Sequence, residues 1–132
     1  DGRRLAFVRD DEIWVVEADG TRLAKVTGHR AGTSAPRWSP DGKRLAFMSN
    51  RDGRQQIFWK LADGSGDAER LTDGGSTTAP DVLNIPFSWA RDGRLLAYAR
   101  LAPAAAAELC VLSLDDGSTT RSGRTASACT CR

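Results

Sequence analysis

The chain has 132 residues, 40% of them hydrophobic and 27% charged. This is ordinary globular composition, enough for one domain or a piece of one, and unlike that of disordered or fibrous chains. A formal charge of +2 is too close to balance to argue for nucleic acid, and no apolar run approaches the roughly 18 residues of a membrane span.

Internal similarity organises the rest. The opening Asp1-Gly2-Arg3-Arg4-Leu5-Ala6-Phe7 returns as Asp41-Gly42-Lys43-Arg44-Leu45-Ala46-Phe47 and again as Asp92-Gly93-Arg94-Leu95-Leu96-Ala97-Tyr98, with starts 40 and then 51 residues apart. Each copy is followed by a second apolar run: Glu12 to Val16, Gln56 to Lys60 and Glu108 to Leu112. Each run in turn leads to Asp-Gly, at Asp19-Gly20, Asp63-Gly64 and Asp116-Gly117. Asp-Gly takes eight of the thirteen glycines. Aspartate closes a tight turn with its side chain, and glycine supplies the positive φ the turn demands.

Between these turns lie short runs with β-branched and aromatic content, and no window holds a 3.6-residue apolar period. In chain order the pattern predicts strands at 4–9, 12–17, 22–27, 35–39, 44–49, 56–61, 69–72, 85–90, 95–100 and 108–114. Ala102 to Glu108 is the best helical candidate, but it contains Pro103 and is too short to stand alone. Strands 35–39 to 69–72 make one full four-stranded unit; the first unit lacks an opening strand and the third an obvious closing one. Residues 119–132 show no apolar alternation and are expected to form a poorly ordered tail.

A four-stranded antiparallel unit recurring every 40 to 50 residues is the signature of a β-propeller blade. The stretch from Trp38-Ser39-Pro40-Asp41-Gly42 through Phe47 to Asp52-Gly53 closely resembles the WD-like repeat of TolB and related bacterial propellers. Ile57-Phe58-Trp59 and Glu69-Arg70-Leu71-Thr72 fall where that repeat has its third and fourth strands. The third copy departs from it, with Ala90-Arg91 in the place of Ser-Pro, and is similar to propellers attached to some bacterial serine/threonine kinases. The expectation is therefore an all-β, partial β-propeller of about three blades over residues 1–118, at 1–34, 35–84 and 85–118, the first and last incomplete. Rings close with roughly four to eight blades, so the chain reads as part of a longer ring or as an assembly-dependent piece.

Candidate sites are few. His29 is the only histidine, and a general base would need a partner that the sequence does not supply; Gly28-His29 resembles the Gly-His pair that braces WD-type blades. Asp63-Gly64-Ser65-Gly66-Asp67 has the alternation of a calcium loop, but Ala68 and Gly74 stand where that pattern wants Gly and Glu, so a hairpin turn is expected. Cys110 lies in an apolar run and reads as a small buried hydrophobe, while Cys129 and Cys131 lack the further ligands of a metal site. Trp38 and Trp89 occupy the same slot before Asp-Gly, which points to packing between blades, and for the repeated aromatics, Trp14 and Trp59 with them, a core role is expected over a ligand-stacking surface. Thr77 to Pro86 and Ala102 to Ala107 extend loops, the usual place for recognition in repeat proteins, and read equally as neutral variation in length.

No catalytic, cofactor or metal residue is expected from these motifs, nor contact with a membrane. The resemblance implies a non-catalytic module that binds protein or peptide, in a periplasmic or extracytoplasmic setting, with the remaining blades of a full propeller as neighbours. The alternative is the propeller of a prolyl-oligopeptidase-like hydrolase, gating access of substrate. Fold alone does not choose between them.

Overall fold

The computed structural model describes residues 2–28, 32–72, 82–103, 105–122 and 129–130. Twelve strands occupy them: β1 (Arg4–Arg9), β2 (Glu12–Glu17), β3 (Ala24–Lys25), β4 (Ser34–Trp38), β5 (Arg44–Ser49), β6 (Gln56–Leu61), β7 (Glu69–Arg70), β8 (Leu83–Trp89), β9 (Leu95–Leu101), β10 (Glu108–Ser113), β11 (Ser118–Ser122) and β12 (Cys129–Thr130). They form three antiparallel sheets, β1-β2-β3, β4-β5-β6-β7 and β8-β9-β10-β11-β12. No helix occurs among the described residues. The molecule is a partial β-propeller with each sheet as a blade.

Each repeat starts at the turn before its second strand. In the second blade, Gly42 donates to the Ser39 carbonyl (2.9 Å) and Ser39 to the Arg44 carbonyl (2.9 Å). In the third, Gly93 donates to Ala90 (2.9 Å) and Ala90 to Leu95 (2.9 Å). The same turn therefore forms although Ser-Pro has become Ala-Arg, because backbone bonds and a glycine at φ 68° or 73° define it. The inner strands share a second device. Pro36 and Pro86 sit where the pairing of β4 and β8 with their neighbours slips by a residue, as expected where proline offers the ladder no donor.

Strand alternation sends side chains into two cores, one at each joint. Ile13, Val15, Val26, Leu45, Phe47, Phe58 and Ala62 fill the joint between the first and second blades. Ala46, Ile57, Leu96, Tyr98, Cys110 and Leu112 fill that between the second and third. On the first blade, Leu5 and Phe7 point the opposite way from Ala6 and are 60% and 37% exposed. On the third blade, Leu95 and Leu109 are likewise exposed. Leu5, Phe7, Leu95 and Leu109 thus lie exposed on faces turned away from the two joints.

A buried polar knot closes the first two blades. Thr27 Oγ1 accepts from the Ile13 amide (2.8 Å) and donates to the buried Glu12 carboxylate (2.7 Å), which lies 3.4 Å from Lys25 Nζ. Thr72 repeats this, accepting from the Ile57 amide (2.9 Å) and donating to Gln56 Oε1 (2.8 Å), which also accepts from Asn84 (3.1 Å). The hydroxyl extends the ladder beyond the two-residue outer strands.

The structure differs from the sequence reading at the C-terminal segment. Residues 119–122, expected in the tail, complete β11, with Leu109 opposite Ser122 and Leu112 opposite Thr119. Beyond it β12 pairs Thr119 with Cys129 and Ser118 with Thr130. Such polar strands need no apolar alternation, since the neighbouring backbone supplies their bonds and threonine favours extended geometry. The rest of the expected tail, 123–128 and 131–132, lies outside the described residues.

Candidate functional site

The two joints carry one repeat position in two ways. Arg4, third residue after the first repeat's Asp1, reaches across to the second blade, where it donates to the Gly42 carbonyl and lies 4.6 Å over the Trp38 ring. Arg44 holds the same position in the second repeat but does not bond Gly93. Instead its guanidinium stacks 4.0 Å over Trp59, whose ring lies against Trp89 at 6.5 Å and 23°. Other groups hold the second joint: Arg37 Nε donates to the Phe87 carbonyl (2.9 Å) and Trp89 Nε1 to the Arg37 carbonyl (3.3 Å).

The turns of the second and third blades are left with a cleft between them. Its volume is about 380 Å³, and Ser39, Asp41, Arg44, Trp89, Arg91 and Asp92 are among its walls. A smaller hollow of about 180 Å³ lies on the far side of Arg44, against Trp59, Lys60 and Glu69. Trp59 Nε1 is spent on Glu69 (2.8 Å), so the indole rings offer faces rather than donors.

The carboxylates of the cleft are tied to their own turns. Asp41 accepts from Ser39 Oγ (2.6 Å) and the Lys43 amide (3.0 Å), and Asp92 from the Arg94 amide (2.9 Å). The Ser39 hydroxyl foremost, then the Lys43 amide, hold the Asp41 carboxyl below the usual range. Neither the Arg44 nor the Arg91 side chain has a hydrogen-bond or ion-pair partner among the described residues, although the Arg44 guanidinium is stacked on Trp59.

The same Asx turn recurs elsewhere, with a consequence for acid stability. Asp19 is held low by Thr21, Asp63 by Ser65, and Asp116, by the Ser118 amide first, at about 2. A carboxylate whose pKa falls on folding stabilises the fold above its unfolded value and loses that contribution as pH drops through its folded value. The melting temperature is therefore expected to stay level from pH 7 to about 5 and to fall between about 4 and 2. Thermal melts followed by circular dichroism across that range check it, and a level profile down to pH 2 would refute it.

The structure places the remaining sequence candidates as follows. Trp38 packs against the first joint and Trp89 against the second, while Trp14 is half-buried beneath Arg9. Asp63 binds the Ser65 amide and hydroxyl (2.8 and 2.6 Å) in a hairpin turn, and no cluster fit for a metal exists among the described residues. Cys110 is buried at the second joint, and burial pushes its thiol up. Leu83 to Pro86 belong to β8 rather than to the inserted loop, and Ala102 to Ala107 show no helix at the described positions. His29, residues 77–81, Ala104 and Cys131 lie outside the described residues. Sequence reasoning passed over Arg44 and Arg91, although the departure of Ala90-Arg91 from Ser-Pro marked the place.

Three stacked antiparallel blades, joined through Asp-Gly turns and tryptophans, define a β-propeller of short WD-like repeats. Residues 1–121 match the TolB beta propeller domain, and the chain belongs to that family. It is 35% identical over 96 residues to Tricorn protease homolog 1 of Streptomyces coelicolor, covering 73% of this chain and 8% of that protein. It is 44% identical over 71 residues to the Tol-Pal system protein TolB of Syntrophus aciditrophicus, covering 48% and 16%. The chain thus spans a small part of these relatives. Among solved structures, TolB from Acinetobacter baumannii superposes with a TM-score of 0.74 at 23% identity, over 96% of this chain and 31% of that one. A structure from a study of two prolyl endopeptidases gives 0.67 at 17%, over 96% and 21%.

Proposed function

We propose that the chain serves as a non-catalytic propeller module that binds protein or peptide, with the blades as scaffold and the turns between them as the recognition surface. The observation that carries this reading is the cleft between the second and third blades. Its wall bears two arginines whose side chains make no hydrogen bond or ion pair among the described residues, beside a tryptophan face, while the carboxylates around it are engaged in turn bonds. Exposed arginine and aromatic side chains are the groups that dominate protein recognition. The TolB relatives support the same reading.

A second reading draws on the tricorn and prolyl endopeptidase likenesses: the propeller part of a peptidase, controlling which chains reach a catalytic domain. The two separate in one experiment. Panning a random heptapeptide display library on the immobilised chain is expected to enrich a family of sequences, and incubation with the recovered peptides to leave them intact by mass spectrometry. Cleavage by the chain itself would overturn the non-catalytic assignment, and failure to enrich any sequence would remove the peptide-binding one.

A further inference from the structure

We propose that the cleft between the second and third blades takes an acidic peptide segment, a carboxylate of which bridges Arg44 and Arg91 while its neighbouring side chain lies on Trp89. This rests on the peptide-binding reading above and names the chemistry of the segment. Three features of the molecule carry it.

The first is the contrast between the joints. The fold has a way to close this cleft, and uses it between the first and second blades, where Arg4 spans from one turn to the Gly42 carbonyl of the next. At the second joint the equivalent Arg44 lies over Trp59 instead and lines an open cleft of about 380 Å³. The second is the departure of the third repeat. Arg91 replaces the proline found at Pro40 and brings a second arginine to the lining of the cleft, although the backbone turn keeps its bonds. The third is preorganisation. The Arg44–Trp59–Trp89 stack holds a planar fork of donors in place, and that fork matches a carboxylate in two parallel bonds.

Asp41 and Asp92 also border the cleft and set its selectivity. Each has an oxygen engaged in its own turn, so the free donors there are guanidinium groups. The carboxylates still repel a run of dense negative charge, which favours one or two acidic side chains over a polyanion.

The test uses the full chain, the heptapeptides recovered by panning, and titration by fluorescence anisotropy against wild type, Arg44→Gln, Arg91→Gln and the first-blade control Arg22→Gln. The expected result is enrichment of Asp or Glu in the recovered sequences, with affinity weakened about tenfold or more by either cleft substitution and unchanged in the control. Replacing the peptide's acidic residue by its amide should cost a similar factor. Both substituted residues are exposed, so their melting temperatures should match wild type. Recovered peptides that are neutral or basic, or acidic ones insensitive to Arg44→Gln and Arg91→Gln, would overturn the acidic site and leave the module reading standing. No enrichment at all would remove both.

Discussion

Replacing Phe47 with alanine is expected to lower the unfolding free energy by about 3–5 kcal/mol. Its ring is fully buried at the first joint, 6.3 Å from Phe58 and roughly parallel to it, with the Arg51 guanidinium 5.3 Å above. Removing it leaves a cavity between two sheets whose strands are held by their own ladders and collapse little into the gap. The repeat supplies an internal control. Phe7 holds the same position on the first blade but is 37% exposed on an uncovered face, so Phe7→Ala is expected to cost roughly 1 kcal/mol or less. Urea denaturation of both variants measures the difference as a shift in midpoint at unchanged slope. Equal losses would show that the first joint does not stabilise the chain, and the stacked-blade account would fail.

The second large effect is expected at a hydroxyl. Thr72→Val keeps shape and volume but strands the buried Ile57 amide and deprives Gln56 Oε1 of one of its two donors. A buried unsatisfied amide costs about 1–3 kcal/mol and the lost side-chain bond about one more, so a total of about 2–4 kcal/mol is expected. Thr72→Ser, which retains the hydroxyl, should recover most of that. Thr27→Val should cost at least as much, because there the deprived acceptor is the Glu12 carboxylate. Urea titration and hydrogen exchange at the Ile57 and Ile13 amides read the effect from both ends. A valine variant as stable as the serine one would mean that the threonine acts by packing alone.

Much of the candidate site was out of reach of a linear reading. The sequence marked Trp38 and Trp89 as equivalent, because identical slots before Asp-Gly leave a visible signal. It also marked Ala90-Arg91 as a departure, without meaning for it. Arg4 and Arg44 are indistinguishable as letters: both follow Asp-Gly by two residues in matching repeats. One ties two blades and the other stacks on Trp59, a choice made by the indole that the next strand of the same blade brings alongside. The polar C-terminal strand was missed for a related reason. Its threonines carry no apolar period, and only the edge of β10 gives Ser118 to Ser122 a place to pair.

What the sequence determined by itself is the blade. Period-two apolar runs set the strands, since a strand's faces alternate residue by residue. Asp-Gly set the turns, since a carboxylate and a missing Cβ stabilise them locally. Recurrence every 40 to 50 residues set the stacking. What only the tertiary structure decided is which equivalent residues become different: Phe47 buried and Phe7 exposed, Arg4 tied to the next blade and Arg44 stacked within its own, one joint closed and the next open. Local chemistry acts within a blade and repeats with the letters. Burial and the partners of a long side chain depend on the neighbouring blade, and no neighbour is written at the residue itself.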